Sequence, residues 1–95
     1  MDTMLDPKHQ LLFALCDEYK KPIPDFSSVT AQNLGMDIDV FSWALRKLQN
    51  EGLINGLKEV PTWLFPLHDI PWSILPSRDG LLYAEKLIME VIDFG

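Results

Sequence analysis

Between Leu34 and Asn55 the apolar residues Phe41, Ala44, Leu45 and Leu48 recur at helical spacing with polar residues between them. The stretch therefore reads as one amphipathic helix that buries a single stripe. Gly35 breaks a short helix before it, Asp37 offers a side-chain acceptor to the free N–H groups of its first turn, and Gly52 ends it ahead of Leu53 and Ile54. At about 100° per residue, Trp43 projects almost directly away from the stripe. Asp37 and Asp39 sit at the leading end.

Elsewhere the same patterning predicts three more helices. Asp6-Pro7 pairs an acceptor with a residue of preset φ, and Leu11, Leu12, Leu15, Cys16 and Tyr19 continue as an apolar face, giving a first helix from about Pro7 to Lys20. Lys21-Pro22-Ile23-Pro24-Asp25 is a non-helical linker, because each proline restricts itself and the residue before it. Ser27 or Ser28 is expected to cap a short second helix through Leu34, with Val29 and Leu34 inward. The amphipathic helix is the third, and the turn at Gly35 makes the pair a helix-turn-helix. Leu53 to Leu57 reads as a short strand. The segment from Glu59 to Leu75 mixes Pro61, Pro66 and Pro71 with Val, Trp, Leu, Phe and Ile, which predicts edge strands of a long hairpin near Val60–Phe65 and Ile70–Leu75, with Pro66-Leu67-His68-Asp69 at the tip. Ser77 caps a last helix, with Asp79 in its first turn and Leu81–Ile92 as its body.

The order helix, helix, helix, hairpin, helix is mainly α with a small β-hairpin, an α+β class, in one 95-residue domain. The run L-G-M-D-x-x-x-F-x-x-A-L-x-x-L-x-x-E-G-L-I, Leu34 to Ile54, and L-P-S-R-D-G-x-x-Y-A-E-K-L, Leu75 to Leu87, resemble the winged helix-turn-helix superfamily. More narrowly, the spacing of the first helix and of Leu34 to Ile54 resembles the small YjcQ-like winged-helix proteins of bacteria and phages; the proline- and tryptophan-containing hairpin departs from that pattern. The resemblance implies a module whose function ranges from DNA repression to pure protein contact. It places Ser42, Trp43, Arg46, Lys47 and Asn50 on or near the outer face of the third helix, where a DNA-reading protein would contact phosphates and base edges. It also implies a homodimer through the last helix.

Charge changes that picture. Lys and Arg number 8 against 14 Asp and Glu, a formal net charge of -6, and such a field on average repels phosphate and anionic lipid. The acids Asp37 and Asp39 stand where the third helix would point into a groove, and no Lys or Arg occurs between Glu59 and Ser77. A wing that touches DNA needs cations. Lys47 can instead pair with Glu51 on a solvated helix face.

Aromatic residues favour protein contact. Trp43, with Val40 one turn away, faces outward, and Trp63, Phe65 and Trp72 lie on strands apolar on both faces. Large aromatics among few charges are the composition of an interface core. The competing expectation is that the hairpin folds back and buries Trp43 within the chain. On the last helix, Leu81, Ala84, Leu87, Ile88 and Val91 form the core stripe, whereas Leu82 and Met89, with Ile92 and Phe94 nearby, fall on another face and are the candidates for a two-fold dimer contact.

Enzyme chemistry is thinly represented. The five glycines are scattered and read as caps and turns, and His9 and His68 lack metal-ligand spacing, so no metal or cofactor is expected. Cys16 on an apolar stripe reads as a small buried hydrophobe rather than a nucleophile, and a lone cysteine fits a reducing compartment. Met1 to Pro7 carries two Asp and no basic cluster, so no secretory signal is expected, and no run approaches the roughly 18 apolar residues of a membrane span. The expectation is a cytoplasmic, non-enzymatic regulatory or adaptor module that contacts a protein partner or its own second subunit. A dimeric DNA-binding regulator is the alternative, and an acidic decoy of a nucleic-acid-binding protein is a weaker third.

Overall fold

The computed structural model describes residues 6–71 and 73–94, with side chains described through residue 89. Its chain order is α1 (Pro7–Tyr19), α2 (Ala31–Leu34), α3 (Ile38–Asn50), β1 (Ile54–Asn55), β2 (Leu75–Pro76) and α4 (Arg78–Phe94). Short 3-10 turns occupy Phe26–Ser28, Leu57–Glu59 and Thr62–Leu64. The class is mainly helical with one small antiparallel sheet, in which Ile54 pairs with Pro76 and Asn55 with Leu75. No helix among the described residues is long and apolar enough to cross a membrane.

The helices begin and end for local reasons. Asp6 accepts the His9 N–H at 3.0 Å to open α1. After α1 the chain turns around Glu18, whose carboxylate accepts from Lys21 Nζ at 2.7 Å, from the Asp25 N–H at 3.4 Å and from Ser28 Oγ at 3.4 Å. The Lys21 ammonium chiefly, and then the Asp25 and Ser28 donors, hold this carboxyl below its ordinary range against the opposing effect of burial. The expected second helix is split in two: Asp25 caps the turn at Phe26–Ser28, and Thr30, not Ser27 or Ser28, caps α2 through the Asn33 N–H at 3.0 Å. Gly35 then takes a left-handed conformation at φ 69° and turns the chain into α3. Asp37 stands at the N-cap position, but its side chain makes no capping bond.

The stripe of α3 is the centre of the core. Phe41, Ala44, Leu45 and Leu48 have no exposed surface and pack with Leu11, Leu12 and Leu15 of α1, Ile54 of β1 and Ala84 of α4. Fully burying side chains of this size stabilises by about 1.5–3 kcal/mol each. Tyr19, expected inward, is largely exposed, because α1 is already ending where it stands. Lys8 bonds Glu51 at 3.0 Å and so ties the start of α1 to the end of α3, in place of the expected Lys47–Glu51 pair. On α4, Ala84 is buried and Leu81 and Leu87 half-buried, whereas Ile88 of the expected stripe is exposed. Ser77 caps this helix as expected, accepting the Gly80 N–H at 3.0 Å.

Among the described residues the two long strands of the expected hairpin do not form. Residues 56–71 and 73–74 instead follow an irregular path, the 56–74 loop, that leaves β1 and returns to β2. A strand buries alternate residues, but here Val60 is buried, Pro61 through Leu64 are exposed and Phe65 is half-buried. The backbone closes local turns in place of a ladder: Val60 N–H to Leu57 O at 3.0 Å, Leu64 N–H to Pro61 O at 3.1 Å and Phe65 N–H to Thr62 O at 3.1 Å. Pro61, Pro66 and Pro71 have no N–H to give a ladder. The buried anchors Leu57, Val60, Leu67 and Ile74 hold the loop on the core at irregular intervals.

Candidate interaction surface

The loop crosses the flank of α3 and fastens to it with polar groups. Ser42, only 6% exposed, points at Leu67; its hydroxyl accepts the Leu67 N–H and donates to the Leu67 carbonyl at 3.1 Å. The Gln49 side-chain oxygen accepts the Leu57 N–H at 3.1 Å. Beyond Leu67 the loop reaches α2, where the Ala31 N–H donates to the His68 carbonyl at 2.8 Å and Thr30 bridges Asp69. The base is shut where Ser73 Oγ donates to the Gly56 carbonyl at 2.9 Å. Gly56 has φ 99°, and a Cβ there would overlap the Ser73 carbonyl oxygen, so this crossing requires glycine.

What the loop leaves uncovered is the outer face of α3. Asp39, Trp43, Arg46, Lys47 and Asn50 are all exposed, and Val40 is half-buried beside them. Trp43 keeps 50% of its surface in solvent, so the loop does not bury it. The Arg46 guanidinium carbon lies 4.4 Å from the centre of the Phe65 ring, a cation–π contact worth about 0.5–1 kcal/mol at an exposed site. Trp63, on the turn before Phe65, is 78% exposed. Leu64 and Ile38 are exposed as well.

Some of these side chains border open depressions that share lining residues. One lies between Trp43, Asp39 and Arg46 on the helix and Phe65 and Pro66 on the loop. Pro66 also borders a second, between Leu64, Leu67 and Pro71, with Glu59 and Asp69 at its rim. Asp39 also borders a third, with Asp37, Ile38, Met36 and Asp69. Together they carry the carboxylates of Asp37, Asp39, Glu59 and Asp69 and one guanidinium, Arg46.

The structure thus brings together Trp43, Arg46 and Phe65, and leaves Trp63 exposed on the turn that precedes Phe65. Ser42 leaves the candidate DNA-contact set, because it is buried and both of its hydrogen-bonding roles are used by Leu67. Trp72 lies outside the described residues. On α4, Leu82 and Met89 are 54% and 65% exposed; the side chains of Ile92 and Phe94 lie outside the described residues. Pro66, Leu64 and the acids Glu59 and Asp69 carry no signal of contact in the sequence beyond position in a proline-rich segment, and Ile38 carries none beyond its place in the first turn of α3.

The candidate reactive groups do not converge. Cys16 is buried with its Sγ 3.9 Å from the Gly80 carbonyl, and burial pushes its thiol up to about 11, so at neutral pH it is protonated. The His9 Nε2 lies 3.1 Å from the Tyr83 hydroxyl, with Asp6 3.4 Å from its Nδ1. His68 is exposed on the loop, where it lines two of the depressions and has its Nδ1 3.8 Å from Asp69. No protein-family model matches the chain, and no curated protein and no solved structure matches it.

Proposed function

We propose that the chain is a non-enzymatic regulatory or adaptor module of winged-helix type that works by protein contact through the outer face of α3 and the loop beside it. The winged-helix reading draws support from the order of α1, α2, α3, the β1–β2 pair enclosing a loop, and α4. In that comparison the loop stands in the place of the wing. The contact reading rests on one observation above the others: Trp43 remains half in solvent beside Phe65 and Pro66, and Trp63, two residues before Phe65 in the chain, is 78% exposed. Exposed clusters of large aromatic side chains mark interaction surfaces, and tryptophan often dominates binding energy where it becomes buried.

The DNA-regulator alternative keeps Arg46, Lys47 and Asn50 as exposed groups on α3. It loses Ser42 to the loop, and Arg46 already lies on Phe65. Four carboxylates around these depressions oppose phosphate. An anisotropy titration with mixed-sequence duplex DNA separates the two readings. The contact reading expects no binding at physiological salt; saturable binding with a steep salt slope, weakened by Arg46→Ala with Lys47→Ala, would replace it with the regulator.

A second contact surface, on α4, is favoured by the exposure of Leu82 and Met89 two turns apart. This is the face for a homodimer. Light scattering at micromolar concentration should give twice the 10.9 kDa chain mass, and Met89→Lys should return it to the single-chain mass. A single-chain mass for the unaltered protein would remove the dimer.

A further inference from the structure

We propose that the depression between α3 and the 56–74 loop receives a basic segment of a partner protein, one that carries an aromatic or aliphatic anchor flanked by Lys or Arg. The proposal rests on reading this face as a protein-contact surface and adds the chemistry of the occupant. The apolar part is the surface of Trp43, Phe65 and Pro66 around a concavity that an anchoring side chain can enter. The charge around it selects what accompanies the anchor. Asp37, Asp39, Glu59 and Asp69 are exposed, and among the described residues none of them is paired with a Lys or Arg. Arg46, the one Lys or Arg bordering these depressions, has its guanidinium laid on Phe65 rather than on a carboxylate.

Carboxylates without a Lys or Arg partner beside an apolar concavity, of which Asp69 has the His68 ring nearby at 3.8 Å, favour a cationic occupant and disfavour anionic ones. Two other occupants meet this barrier. Duplex DNA brings phosphate to an acidic rim. A second copy of the chain brings its own net charge of -6 and the same carboxylates. A segment with alternating anchor and cation gains from both features: the anchor covers Trp43 and Phe65 and the cations steer its approach and fix its register.

Random linear peptides displayed on phage and selected on the intact protein test this. Enriched peptides should carry an excess of Lys and Arg around an aromatic or aliphatic residue. Synthesised, they should shift the backbone amide resonances of Asp39, Trp43, Phe65 and Asp69. Their affinity should fall severalfold between about 50 and 200 mM salt. Asp39→Asn with Asp69→Asn should weaken them roughly three- to tenfold at low salt, as loss of two exposed ion pairs does. Trp43→Ala should weaken them roughly thirtyfold or more, as removal of a central tryptophan does. Trp63→Ala, whose exposure leaves the core untouched, is the second variant and should also weaken them, with thermal melts to check that each variant is folded. Neutral or acidic peptides that map to the same face and are lost with Trp43→Ala would overturn the basic occupant while leaving the contact surface standing. Peptides that map elsewhere, no enrichment, or duplex DNA or self-association on this face would overturn both.

Discussion

Replacing Ser42 by Ala removes the Leu67 fastening between α3 and the loop, leaves the Gln49–Leu57 bond in place and leaves the shape of the site nearly unchanged. Ser42 is 6% exposed and its hydroxyl serves both backbone groups of Leu67, itself 6% exposed, accepting from the N–H and donating to the carbonyl. Each such bond contributes about 1 kcal/mol net, and a buried backbone group left without a partner costs about 1–3 kcal/mol. The lower end applies, because the loop lies at the surface and a small outward shift lets water reach Leu67. The expected loss is about 2 kcal/mol, or roughly 8–16 °C of Tm for a domain of this size. Urea unfolding followed by far-ultraviolet circular dichroism gives the free energy, and amide hydrogen exchange gives the local effect. The Leu67 amide should lose protection by a larger factor than the amides of α1. An unchanged midpoint with the Leu67 amide still protected would refute the fastening and detach the loop from the reasoning about the site.

Two further perturbations probe the frame that positions the surface. Gly56→Ala should destabilise by roughly 2–4 kcal/mol, since it combines φ 99° with a Cβ that overlaps the Ser73 carbonyl, whereas Gly35→Ala, at φ 69° with open space around it, should cost only about 1–2 kcal/mol; equal urea midpoints for the two would show that the base of the loop is not closed as described. Glu18 has a folded carboxyl held below its ordinary value near 4.5, first by Lys21, and Asp25 is lowered first by Ser27. A depressed carboxyl adds stability that is present above its unfolded value and disappears as pH falls through the folded one. Melting temperature should therefore drop as pH is lowered below about 4.5, and Glu18→Gln should flatten part of that drop while lowering Tm at pH 7; an unchanged profile in the variant would contradict the role given to Glu18.

Helix positions were legible because helix formation and burial are both local in sequence. The spacing of Phe41, Ala44, Leu45 and Leu48 alone picks out the buried stripe of α3, and Gly35 and Gly52 mark its neighbouring turns with positive φ. The loop was not legible for the opposite reason. Its apolar content resembles strands, but Val60, Leu67 and Ile74 are buried because each finds a separate gap in a core built by distant residues. No period in the sequence encodes that. Ser42 shows the same limit: on a helical wheel it stands beside polar neighbours at the edge of the stripe, and only the arrival of Leu67 turns it from a candidate contact into an internal anchor. Trp43 was readable as outward-facing from the wheel, but its half exposure depended on where the loop runs. Arg46 and Phe65 were each singled out, yet their stacking joins residues nineteen positions apart.

The most direct measurement places a photo-crosslinking aromatic residue at position 43 of the intact protein in its native cells and identifies what it captures. A protein-contact surface predicts one discrete protein adduct, diminished by Trp63→Ala and by Asp39→Asn, with the captured peptide mapping to a Lys- or Arg-containing segment. Adducts to nucleic acid, or no adduct from a folded protein, would contradict it.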